Sequence, residues 1–231
     1  MITLNNDLKI EIFTVIKNDA KILPLFIQHY RERFPGCVIN VFDNHSTDEG
    51  VELCLNAGCN VGVFDEYTEP LLQEFRNNIW KQSDADWVIV CDANELLDIS
   101  AQDIAALPAQ FNVIHADYYN MVDITGDGSD YAGLTYGCPT YPASKCVMFK
   151  KSSIKEMNYS IGAHSCNPKP AAYYSEPFKL WHYEPTTMTY QNFADSIERL
   201  LAAAGKVSPL TPELQKEAYQ KSVLDRAVKV K

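Results

Sequence analysis

Asp92, Asn94 and Glu95 follow directly on the apolar run Trp87-Val-Ile-Val-Cys91. Each carries an oxygen that can bind a hard divalent cation, and such donors suit Mg2+ or Mn2+. Two other polar clusters follow apolar runs in the same way: Lys17-Asn18-Asp19 after Lys9–Ile16, and Asp43-Asn44 after Cys37–Phe42. If the runs are strands of one parallel sheet, the clusters share its carboxyl edge, where open α/β folds bind ligands. No G-x-G-x-x-G follows the first run and no G-x-x-x-x-G-K-[ST] occurs, which argues against a dinucleotide cofactor and a P-loop. A nucleoside diphosphate whose charge a metal neutralises suits what remains.

The elements that must position these groups are legible in the pattern. Lys9–Ile16 is rich in β-branched residues and predicts a first strand. Leu23, Phe26, Ile27, Tyr30 and Phe34 recur at helical spacing, with Asn18 or Asp19 as the expected N-cap and Pro24 in the first turn. Pro35-Gly36 closes that helix. Cys37–Phe42 predicts the second strand; Ser46 and Glu49 have capping-box spacing, so a helix is expected from there to Gly58. Asn60–Phe64 is a short third strand. Thr68-Glu69-Pro70 opens a helix with the stripe Leu71, Leu72, Phe75 and Ile79, and Trp87–Cys91 is a fourth strand, buried on both faces. The alternation implies an α/β fold, a doubly wound and mostly parallel sheet flanked by helices.

Beyond Leu97 the pattern loosens. Phe111–His115, Lys145–Lys150 and Phe178–Tyr183 read as strands, and Asp123–Tyr141 has the Gly, Asp, Tyr and Pro content of a long functional loop. Tyr190, Phe193, Ile197, Leu200 and Leu201 predict a helix, and Thr211-Pro212-Glu213 opens a terminal one. The expected division is one domain over 1–204, with a nucleotide-binding half to about 97 and an acceptor half after it, and a helical extension over 205–231.

The 231 residues carry 20 Lys+Arg against 30 Asp+Glu, a net charge of −10 that argues against nucleic acid as a partner. The seven cysteines are scattered singly, several within apolar runs, as buried thiols in a reducing compartment would be. The first residues form no signal peptide and no apolar run spans a membrane, so a cytoplasmic location, or one at the inner membrane surface, is expected. Asn44-His-Ser46 and Asn158-Tyr-Ser160 then match the glycosylation sequon by chance.

The set Thr14-Val-Ile-Lys-Asn-Asp19, Asp43-Asn-His-Ser-Thr-Asp48, Arg76-Asn-Asn-Ile-Trp-Lys81, Asp86–Asp92, Gly162-Ala-His164 and Leu180-Trp-His-Tyr183 resembles the family 2 glycosyltransferases of GT-A fold. The likeness is to the branch ending its nucleotide half in Asp-x-Asp-Glu-Phe/Leu, and it spans about Ile10 to Leu201. It implies sugar transfer, with inversion, from a UDP- or GDP-type donor to a hydroxyl acceptor such as a glycan, as in polysaccharide biosynthesis, with Mn2+ or Mg2+. It further implies that Thr14, Lys17, Asn18, Asp43 and Asn44 lie on the donor side and that Arg76 and Lys145 lie near the phosphates. Asp92, Asn94, Glu95 and His182 would supply the metal shell. The base would come from the second half, where His164, Asp123 and Asp127 are the candidates. The chain departs from the family at Asn94, where an Asp is usual; a neutral amide binds a cation more weakly. Two other classes fit parts of the pattern. A nucleotidyltransferase would want a glycine-rich basic loop after the first strand, and a silent nucleotide-sugar-binding protein would explain Asn94.

Overall fold

The computed structural model describes residues 8–123, 130–174, 176–183 and 226–231, with only the backbone over 140–143. The chain forms two compact units, one of residues 1–117 and 144–180, the other of 118–143 and 181–231.

In the first unit, strands β1 (Ile10–Ile16), β2 (Val38–Asp43), β3 (Asn60–Val63) and β4 (Trp87–Val90) alternate with helices α1 (Leu23–Arg33), α2 (Gly50–Asn56) and α3 (Glu69–Asn78). β1 pairs in parallel with both β2 and β4, and β2 with β3. The order β3-β2-β1-β4 reverses direction at β1, so the crevice at the carboxyl ends of β1 and β4 is a topological switch point. Next come β5 (Glu95–Asp98), α4 (Ala101–Ala106), β6 (Val113–Val122), β7 (Tyr136–Lys150) and β8 (Phe178–His182). β7 pairs antiparallel with β4 through Met148–Lys150, making the sheet mixed. The fold class is α/β, as the alternation of apolar runs requires.

One face of this sheet closes over Phe13, Trp80, Val88, Val90, Phe149 and Tyr159. α1 covers β5 and fixes it directly: the Tyr30 hydroxyl donates to the Glu95 carbonyl at 3.1 Å and accepts from the Leu97 amide at 3.2 Å. His29 is buried and bonds the Leu97 carbonyl at 2.9 Å. Thr68 caps α3 with Pro70 in its first turn, as expected, a device worth about 1 kcal/mol.

Several boundaries differ from expectation. α1 is preceded by Ile22 with no side-chain cap, because Asp19 contributes its carbonyl, to the Ile22 and Leu23 amides, rather than its carboxylate. α2 begins at Gly50, not at Ser46; Asp48 accepts from the Gly50 amide at 3.0 Å, and the Ser46 hydroxyl serves the Asn18 amide instead. Tyr136–Tyr141 belongs to β7 and not to a loop, and β6 runs on to Val122. Residues 124–129, and with them Asp127, lie outside the described residues, as do both helices expected after Tyr183 and the junction at 204/205. The last residues form a short strand, β9 (Val228–Lys229), which pairs with Tyr136 and Gly137 in the second unit.

Thr14 lies inside β1, buried, and its hydroxyl has no hydrogen-bond partner. A buried hydroxyl without an acceptor carries its full desolvation penalty. Thr14→Val, which keeps the shape, is therefore expected to raise the unfolding free energy by about 1 kcal/mol. Urea denaturation reads this, and a loss of stability would mean that the hydroxyl has an acceptor.

Candidate functional site

A cavity of about 380 Å3 opens at the switch point, a size that suits a small organic ligand. The end of β1 contributes Val15 and Ile16, and the segment after it Lys17 and Asp19; Asn44 follows β2; Asp92, Ala93 and Asn94 follow β4; Tyr67, Leu72 and Arg76 close it from the β3–α3 side. The three polar strand ends of the sequence thus meet in one place, joined by Arg76. Tyr67 and Asp19 also line the cavity. Tyr67 follows a strand end as the other clusters do, and that was its signal; Asp19 read as a helix cap.

Each polar group is held by identifiable bonds. Asn44 donates its side-chain amide to the Phe64 carbonyl at 2.7 Å and its backbone N–H to the Ile16 carbonyl at 2.9 Å. The Lys17 ammonium donates to the carbonyls of Asn44 and, at 2.7 Å, His45. Asn18, with φ +56°, takes its place in the left-handed region that asparagine tolerates. Its amide oxygen accepts from the Thr47 N–H at 2.7 Å, so its side chain braces the β2–α2 loop. Asp43 accepts from the Ser46 N–H and does not line the cavity. It is a turn brace.

Two ion pairs meet near the end of β4, one in the cavity wall and one in the interior. Arg76, 7% exposed, pairs with Asp92, whose side chain is 40% exposed. Glu95, 2% exposed, pairs with Lys145, 6% exposed, and its second oxygen accepts from the Asp92 amide at 3.3 Å. Burial alone would lower the pKa of Arg76, but Asp92 and Glu95 reverse that and hold it charged. Burial likewise opposes the charge on Lys145, and Glu95 and Asp92 override it. Thus Glu95 and Lys145, expected at the metal and the phosphates, are bound to each other in the interior and do not line the cavity.

The Asp19 carboxyl is raised above its ordinary pKa by burial first, then by Asp48 and Asp92, against the Lys17 amide, which lowers it. With the folded pKa above the unfolded one, ionisation of Asp19 costs stability as pH rises through that window, and the cost is complete above it. Asp19→Asn is expected to raise Tm at pH 7 by roughly 1–3 °C. The gain should vanish at a pH below the unfolded carboxyl pKa. Thermal scans at the two pH values check this, and a Tm gain independent of pH would contradict it.

His164, one of the expected bases, does not line the cavity. His164 is exposed, in the segment after Tyr159 that is anchored on α3: Gln73 donates to the Tyr159 carbonyl at 2.8 Å, and the Tyr159 amide donates to Asn77 at 2.8 Å. Gly162, at φ +69°, lets the His164 ring come close; a Cβ there would stand 2.9 Å from it. In the second unit Asp123, another of the expected bases, is buried, and His182, expected in the metal shell, bonds Asn120 at 2.7 Å and stacks on Tyr118.

A resident divalent metal does not fit these donors. The charge on Asp92 is balanced by Arg76 and that on Glu95 by Lys145, and Asn94 brings none. Among the described residues no group of three His, Cys, Asp or Glu side chains could hold a metal ion.

No family model matches the chain, and no curated protein does. Among solved structures it is similar to residues 1–349 of S. aureus TarS in complex with UDP, at 14% identity and a TM-score of 0.46, over 93% of this chain and 70% of that one. The complex of the same fragment with UDP-GlcNAc matches at 13% and 0.43, over 93% and 71%. Glucosyl-3-phosphoglycerate synthase from Mycobacterium tuberculosis, with Mn2+, UDP and glucosyl-3-phosphoglycerate, matches at 13% and 0.36, over 48% and 44%. Matches at this level leave the function to the site itself. Among the described residues no helix is long and apolar enough to cross a membrane.

Proposed function

We propose that the chain is a glycosyltransferase that moves a sugar from a UDP- or GDP-type donor to an acceptor hydroxyl, with a glycan as the acceptor. The observation that carries this is the cavity at the switch point, where Lys17 and Arg76 stand with the oxygen donors of Asn44, Asp92 and Asn94. That set suits a ligand with an anionic diphosphate and a polar nucleoside, and it lacks the glycine-rich loops of dinucleotide and P-loop proteins. The family 2 resemblance of the motifs points the same way.

In this reading Asn44 and Tyr67 receive the nucleoside, Lys17 and Arg76 the diphosphate, and Asp92 and Asn94 the ribose and the neighbouring sugar. The acceptor oxygen bonds to the anomeric carbon while the bond from that carbon to the diphosphate oxygen breaks. The configuration inverts and the diphosphate leaves with the electron pair. Fixed cations beside that oxygen stabilise the charge as it develops, at no cost of reorganisation. A base on the acceptor side takes the hydroxyl proton, and His164 and Asp123 are the candidates among the described residues.

Thermal-shift screening of UDP- and GDP-sugars tests the reading, followed by a transfer assay with the best donor. Stabilisation by at least one nucleotide-sugar is expected. No shift with any of them would sink it, and pyrophosphate release from a nucleoside triphosphate and a sugar phosphate would move the chain to the nucleotidyltransferases.

A further inference from the structure

We infer that the guanidinium of Arg76, and not a divalent cation, neutralises the donor's diphosphate, so that nucleotide binding at this cavity is independent of metal. The inference rests on the nucleotide-sugar reading above and narrows it.

The first observation is an incomplete hydrogen-bond set. Arg76 lines the cavity and is 7% exposed; its Nη2 donates to Asp92, while its buried Nη1 has no hydrogen-bond partner. Buried donors are satisfied in nearly all folded proteins, so Arg76, a residue of the cavity wall, keeps hydrogen-bonding capacity that its pairing with Asp92 leaves unused. A guanidinium presents its N–H groups as a planar fork, so one nitrogen can hold a carboxylate while the other holds a phosphate oxygen. Asp92 then fixes the fork instead of binding the ligand's charge.

The second observation is the state of the acids. A divalent ion entering here would compete with Arg76 for Asp92 and would repel a guanidinium that is almost wholly buried. Asn94 offers it an uncharged oxygen, and Glu95 lies in the interior against Lys145. A phosphate meets the opposite situation. It gains Arg76 and, at the rim, the exposed Lys17, whose ammonium donates to the Asn44 and His45 carbonyls. The whole chain is acidic, yet these cations stand at the mouth and wall of one cavity.

Calorimetric titration of the wild-type chain with UDP and with GDP, in EDTA and then in Mn2+, reads the inference directly. The nucleotide that binds is expected to do so in EDTA, with a Kd that Mn2+ changes by less than about threefold. Arg76→Lys, which keeps a charge for Asp92 but loses the fork, should weaken binding in EDTA by at least about tenfold. Binding that appears only with Mn2+ would overturn the inference and leave the glycosyltransferase reading standing. Binding of neither nucleotide in either buffer would remove both. Should Arg76→Lys fail to fold, the two wild-type titrations decide the matter alone.

Discussion

Glu95→Leu is expected to destabilise the chain by about 3–5 kcal/mol, one of the largest effects a single substitution here should have. Both partners of the Glu95–Lys145 pair are buried, so removing one acid strands an ammonium in the interior. The loss comes from the stranded charge more than from the pair's own attraction, since two buried ions recover little beyond their desolvation cost. Glu95→Leu with Lys145→Met should therefore return to within about 2 kcal/mol of the wild type. Part of the remainder is the bond from the Asp92 amide to Glu95. Because the folded pKa of Lys145 is raised, the pair's contribution is complete below the unfolded lysine pKa and is lost only as pH climbs through the folded value. Urea unfolding of the two single variants and the double closes this cycle; a double variant as unstable as Glu95→Leu would refute the account.

The second large effect separates stability from binding at Arg76 and Asp92. Arg76→Met leaves Asp92 behind, and at 40% side-chain exposure that carboxylate can hydrate, so folding should change by about 1 kcal/mol or less. Nucleotide affinity should nevertheless fall at least about tenfold, because the cation facing the diphosphate is gone. Asp92→Ala does the reverse on folding. It leaves a guanidinium that water barely reaches, and should cost about 1–3 kcal/mol. Chemical denaturation and calorimetry on the same two proteins check the asymmetry. Equal destabilisation would mean that Asp92 is as dry as Arg76.

The parallel half of the fold was readable because each strand is an apolar run closed by polar residues, and α1 and α3 each have a one-sided stripe. The edge at which Lys17, Asn44, Asp92 and Asn94 meet followed from that alternation alone. What could not be read were the partners distant in sequence. Ser46 and Glu49 have the spacing of a capping box, but the Ser46 hydroxyl is taken by the Asn18 amide, 28 residues away. Glu95 looks like a third metal oxygen until Lys145, 50 residues on, is found against it. β5 was hidden because it begins within the polar cluster, and α4 because its capping box, Ser100 with Asp103, opens a helix of only six residues. Tyr136–Tyr141 carries glycine and proline and reads as loop, yet pairing with β9 makes part of it strand.

The bonds between the loops after β1 and β2 bear on how selective the site can be. Lys17 reaches across to the Asn44 and His45 carbonyls, Asn18 to Ser46 and Thr47, and the Ala20 amide to Asp48. Two loops that could have moved separately are laced into a single rim. A ligand arriving there spends little of its binding free energy on ordering backbone, and the rim has little freedom to widen or narrow around a misfit. Discrimination among nucleosides would then come from a fixed gauge, not from closure around the right one. An Asn18→Gly exchange, by undoing one stitch, should blunt the choice between nucleotides before it weakens the grip on any of them.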